Sequence, residues 1–174
     1  MIIAATAARN GRDRSAPHMS GGGSAASSSW LLCRTGTLLA ALPIEDVVET
    51  MRVLPVEPVA GAPPYVMGLS IIRGEPVPVV DIGLIVSGAP GRATRLVTVR
   101  AGARVIALAA DEVVGIAGFA AGTLGRIPPL LRDAATETIA GLGALDAELL
   151  VLLRTTRLVP ADILARLDGQ RAVS

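Results

Sequence analysis

The side chains on which chemistry could rest are few: the carboxylates Glu45, Asp46, Glu49, Asp81, Asp111 and Glu112, the thiol of Cys33, the imidazole of His18 and the step Arg73-Gly74. Paired carboxylates serve as general acid and base when they converge in a pocket. Here a plainer reading is stronger, because Glu45-Asp46 and Asp111-Glu112 each stand where a helix begins, and acids complement the helix dipole there. A metal centre needs several His, Cys, Asp or Glu ligands, and one histidine with one cysteine does not make one. Cys33 lies in an apolar run with no histidine near it in sequence, which suits a small buried hydrophobe better than a nucleophile. Ser27, Ser28 and Ser29 lack the turn glycines of a nucleophile elbow. Gly21, Gly22 and Gly23 precede a serine run and no lysine, which is not a phosphate loop. Arg73-Gly74, between two apolar runs, reads as a tight turn that carries either a solvated charge or an interface anchor. No catalytic residue, cofactor or metal is expected.

These residues must be positioned by a chain of 174 residues that is 51% hydrophobic and carries 16 basic and 15 acidic side chains, the basic ones all arginine. The near-neutral charge and three aromatics, Trp30, Tyr65 and Phe119, disfavour a nucleic-acid surface, which would pair a basic groove with stacking rings. A small β barrel that binds nucleic acid, or another protein-interaction module, is the alternative to the reading below. Charged residues cut every apolar run well short of the ~20 residues of a membrane span. Residues 1–9 are too short for a signal-peptide core, so no direct membrane insertion and a cytoplasmic location are expected. Residues 1–28, rich in Ser, Gly and Arg, read as a disordered tail, and 169–174 as a second tail.

From Trp30 onward short apolar runs with many β-branched residues recur at 30–33, 38–42, 66–72, 77–82, 96–99, 105–109 and 149–153, punctuated by Gly and Pro. That texture predicts a mainly β protein, a sandwich or barrel. Helices are expected at 43–51, which opens with Pro and acids, and at 161–168 after Pro160. The strongest signal is an internal repeat: 34–48 aligns without a gap on 100–114, and Met67-Gly-Leu-Ser with the run to Val80 echoes Ala140-Gly-Leu-Gly with the run to Leu153. Each unit is about 65 residues, too few to bury a comfortable core alone. The two should pack as one body.

The stretch Ala62-Pro-Pro-Tyr-Val-Met-Gly-Leu-Ser-Ile-Ile-Arg-Gly-Glu-Pro-Val-Pro-Val-Val-Asp81 resembles the signature of the CheW family of chemotaxis coupling proteins. Residues 42–52 are similar to that family's first helix, and 139–143 and 149–153 to its last two strands. The resemblance implies two intertwined five-stranded SH3-like β barrels with short helices, the first barrel roughly 29–92, the second roughly 93–160, and a C-terminal helix at 161–168. It implies a non-enzymatic adaptor that takes the cytoplasmic tip of a chemoreceptor in a groove between the barrels. The regulatory domain of a CheA-type histidine kinase would meet the barrel ends, on residues the resemblance does not specify. The location implied is cytoplasmic, beside membrane receptor arrays. Receptor-facing positions fall on Val48 for apolar contact, Thr50, Gly68 for close backbone approach, and Arg73 as the polar anchor. Thr50 stands where the family carries a Glu that pairs with its Arg, and Glu49 is expected to face elsewhere, leaving Arg73 without that partner. Ile71 replaces an Asn and Arg154 an Asp, which suggests a divergent member.

Overall fold

Val, Ile and Leu in unbroken runs fit strands that are buried on both faces, and the apolar runs of this chain become such strands. In the computed structural model, residues 28–119, 125, 138–159 and 163–165 are described. The strands are β1 (Ser28–Thr35), β2 (Leu38–Pro43), β3 (Val47–Arg52), β4 (Val66–Ile72), β5 (Glu75–Asp81), β6 (Arg95–Ala101), β7 (Arg104–Ala110), β8 (Glu112–Phe119), β9 (Ile139–Leu145) and β10 (Glu148–Leu153), and a short helix, α1 (Ile82–Ser87), follows β5. They form two five-stranded sheets, in the orders β8-β1-β2-β10-β9 and β3-β6-β7-β5-β4.

The sequence repeat explains those orders. The first repeat supplies β1 to β5 and the second β6 to β10, and equivalent strands occupy equivalent places, but in opposite sheets. One sheet takes β1 and β2 from the first repeat and β8, β9 and β10 from the second; the other takes β3, β4 and β5 with β6 and β7. The sheets are therefore not the two sequence halves, and a boundary near residue 92 does not separate them. Each sheet contains one parallel join, β2 to β10 and β5 to β7, where the repeats meet. The repeated Arg-x-Gly puts Gly36 and Gly102 at positive φ, 56° and 66°, in the two equivalent hairpin turns.

Side chains alternate along these strands between two apolar layers. Leu31, Cys33, Leu42, Val151 and Leu153 of the first sheet share one cluster with Val80, Val97, Val99, Ile106 and Leu108 of the second. Their neighbours turn the other way, Trp30, Leu32, Leu39, Leu150 and Leu152 into a cluster belonging to the first sheet, and Val77, Val79, Leu96, Ala107 and Ala109 into one belonging to the second. Central strands thus have no solvent face, which is why the sequence shows runs rather than alternation.

Helix expectations fare less well. Residues 43–51 form a single 3-10 turn at Ile44–Asp46 and then β3. The β-branched Val47, Val48 and Thr50 suit the strand, and pairing with β6 outweighs the acidic start. Asp111 and Glu112 likewise open β8 and no helix. The helix that does form, α1, begins where Asp81 accepts a hydrogen bond from the Leu84 N–H at 3.2 Å and ends at Gly88 with φ 71°. Of the helix expected at 161–168, residues 163–165 are helical and the rest lies outside the described residues, as does most of the segment read as an N-terminal tail and all of 169–174.

Candidate functional site

β3 and β4 are the two ends of their sheet, so whatever joins them closes the barrel and shapes its surface. β3 carries a bulge: Val47 pairs with Val99 and Glu49 with Thr98, leaving Val48 as the extra residue, 45% exposed. Beyond it the register resumes, with Thr50 opposite Val97 and Arg52 opposite Arg95. Thr50 and Arg52 are exposed. They lie on the sheet face that carries Val97 of the shared cluster. Glu49 and Met51 point to the opposite face.

The β4–β5 hairpin closes through Arg73 and Gly74, at φ 52° and 82°. Two consecutive left-handed residues make the tight turn whose twist matches the strands it joins. An arginine adopts that conformation uncommonly, and here its side chain is held from the far end of the sheet. Arg73 Nε donates to Glu49 Oε1 at 2.7 Å and Nη2 to Glu49 Oε2 at 2.6 Å, a fork-to-fork pair. The Arg73 hydrogen bonds hold the Glu49 carboxyl below the usual glutamate range, and the carboxylate raises the guanidinium above its own. With Arg73 77% exposed, the pair aligns groups more than it adds stability.

This pair corrects two expectations. Arg73 is not without a partner, and Glu49 does not face elsewhere. The bulge at Val48 moves the register by one residue, so Glu49 and not Thr50 reaches the hairpin. Ile71, beside the turn, is 64% exposed. The exposed side chains of Val48, Thr50, Ile71 and Arg73 therefore flank the closure of this barrel. Gly68 does not join them. It is buried with φ +145°, and a Cβ there would lie 2.0 Å from the Glu57 carbonyl oxygen. The Glu57 N–H donates to the Leu69 carbonyl at 2.8 Å and the Leu69 N–H to the Glu57 carbonyl at 2.9 Å. The close backbone approach that glycine permits is made by the chain itself.

A second forked pair escaped the sequence reading, although the repeat that begins at Arg34 points to the residue. Arg34 on β1 donates through Nη1 to Glu148 Oε1 at 2.7 Å and through Nη2 to Oε2 at 3.2 Å, spanning β2 to reach β10. Three further carboxylates among the described residues secure loops and turns. Asp81 accepts from the Leu84 and Gly91 N–H groups, Asp111 Oδ2 from the Gly36 N–H at 2.7 Å, and Asp46 from the Thr155 hydroxyl. Asp81 and Asp111 do converge on Gly91, but around packed backbone and not around a pocket. A depression of about 230 Å³ beside Trp30, Pro43 and Leu152 has mostly apolar walls. Cys33 is fully buried, which pushes its thiol up to about 12 and denies it thiolate character at neutral pH. Arg154 is exposed, and its N–H donates to the Thr138 carbonyl at 2.8 Å. Among the described residues no three potential ligands gather for a metal, and no helix is long and apolar enough to cross a membrane.

A family model described as the CheW-like domain matches residues 29–162. Protein FrzA of Myxococcus xanthus is 33% identical over 112 residues, 63% of this chain and 69% of that protein. Chemotaxis protein CheW of Klebsiella aerogenes is 25% identical over 114 residues, 64% of this chain and 69% of the relative. The crystal structure of the scaffolding protein TtCheW from Thermoanaerobacter tengcongensis superposes with a TM-score of 0.63 at 20% identity, covering 74% of this chain and 89% of that one.

Two outcomes test this geometry. Gly68→Ala should cost about 3 kcal/mol in urea unfolding, from a backbone clash in a conformation that L residues avoid; a loss below about 1 kcal/mol would mean that the Glu57–Pro58 segment does not pack there. Because Glu49 is depressed in the folded chain, the contribution of its pair is present at neutral pH and is lost as pH falls through that depressed value. In carboxyl-resolved NMR titration Glu49 should titrate below ordinary glutamate and return towards it in Arg73→Ala. An unchanged Glu49 titration in that variant would contradict the pairing.

Proposed function

The chain belongs to the CheW-like domain family, and on that premise we propose that it is an adaptor, without enzymatic activity, that couples chemoreceptors to a CheA-type histidine kinase. Members of the family are scaffold and adaptor proteins, and the Klebsiella aerogenes relative carries a chemotaxis name. The observation that carries the reading to this chain is the intact forked pair at the barrel closure. Glu49 and Arg73 hold the β4–β5 turn against β3 and leave Val48, Thr50 and Ile71 exposed around it. Nothing in that arrangement moves a proton or holds a substrate; it offers a shaped surface of apolar contacts around a fixed ion pair, which suits docking of another protein.

In this reading the cytoplasmic tip of the receptor lies along β3, on the side facing the other barrel, and touches Val48, Thr50 and Arg73. Gly68 contributes at one remove, by letting residues 57–58 brace β4. The regulatory domain of the kinase packs against the barrel ends, and the adaptor resides in the cytoplasm beside membrane receptor arrays. Interfaces of this kind commonly bury ~1,200–2,000 Å² in total.

A two-arm pull-down tests the assignment. The protein should retain both the kinase regulatory domain and a receptor cytoplasmic fragment at tens of micromolar, and Arg73→Ala should weaken receptor binding about tenfold while kinase binding holds and the melting temperature falls by a few degrees at most. Absence of binding to either partner, or a variant that loses both equally, would sink it.

A further inference from the structure

The register of β3 on β6 sets Arg52 directly opposite Arg95. Both are exposed. Directly opposed residues in an antiparallel pair bring their Cβ atoms to about 4.5–5.5 Å, and like charges so placed repel. Among the described residues neither guanidinium is in an ion pair. Arg95 Nη1 donates to the Thr94 carbonyl at 3.1 Å, which anchors that side chain without neutralising it. The nearest acid on β3, Glu49, points to the opposite face and is taken by Arg73.

The fold does not require this repulsion. In the other sheet the equivalent strands place Ser29 opposite Gly118, an uncharged pair at the same point of the same ladder. Two arginines therefore face each other between the edge strand β3 and its neighbour β6, where the matching ladder forms without charge. Thr50 lies two residues from Arg52, so the pair continues the β3 face that the proposed function gives to the receptor.

We propose that Arg52 and Arg95 form a clamp for a carboxylate, an Asp or Glu side chain on the partner segment that docks along β3. Guanidinium forks match carboxylate oxygens in geometry, and one carboxylate between two arginines turns a repulsive contact of the free protein into an attractive one in the complex. The proposal rests on the assignment of β3 to the receptor; it adds that this partner is acidic opposite Arg52 and Arg95.

The test uses the whole chain, the cytoplasmic fragment of a chemoreceptor from the same organism, and the kinase regulatory domain as control. The double variant Arg52→Gln, Arg95→Gln should weaken receptor binding about tenfold and flatten its salt dependence, with kinase binding unchanged. The double variant Arg52→Lys, Arg95→Lys keeps the charges and should stay within about threefold of the unaltered chain. The glutamine pair should melt at the same or a higher temperature, because a repulsion has been removed. Receptor binding within about twofold in the glutamine pair would overturn the clamp, as would a lowered melting temperature, which would make the arginines structural. A labelled oligonucleotide held by the unaltered chain and released by the glutamine pair would assign the site to phosphate and overturn it also. Failure of the unaltered chain to bind the receptor fragment, with kinase binding intact, would instead remove the receptor assignment beneath it.

Discussion

Neither repeat can complete a sheet from its own strands. The hairpin of β1 and β2 finds its outer neighbours in β8 and β10, and the hairpin of β6 and β7 finds its own in β3 and β5. This exchange governs the rest. The chain must bury apolar surface on both faces of its central strands, which accounts for its high aliphatic content and for fully enclosed positions such as Leu42, Val80, Val99 and Leu108. It also sets two surfaces of equivalent geometry and unlike chemistry. Where β3 presents Thr50 and Arg52, β8 presents Ile116 and Gly118, and where one hairpin turn carries Arg73 at positive φ, its counterpart carries Asp146.

The paired charges among the described residues fasten the fold. Both forked pairs connect strands that are not neighbours in their sheet, Arg34 to Glu148 across β2 and Arg73 to Glu49 across the barrel closure. Asp81 and Asp111 secure turns through backbone N–H groups, and the lone thiol is sealed in the shared cluster. An adaptor needs no more than that. Side chains held in fixed relation lose little ordering on association.

Much of the architecture was legible beforehand because β-branched runs and a gapless repeat report directly on strand content and on a twofold plan. What escaped depended on contacts distant in sequence. The stretch after Pro43 carries a good helix start, yet pairing with β6, some fifty residues on, makes it a strand. The partner of Arg73 is not legible in the sequence because strand alternation assigns faces one residue at a time, and a single bulged residue at Val48 reverses that count. The resemblance makes Gly68 a receptor-facing position, whereas the backbone that approaches it is that of Glu57 and Pro58 in the same chain, which spacing along the sequence does not reveal. The helix α1 was hidden because its start, Asp81, also ends an apolar strand.

The strand exchange makes a direct demand on how the protein unfolds. If each sheet is completed by the other repeat and both share one cluster, neither barrel has a stable folded state without its neighbour. Differential scanning calorimetry of the whole chain should then show a single transition whose calorimetric and van't Hoff enthalpies agree. Two resolved transitions, one for each sheet, would contradict it.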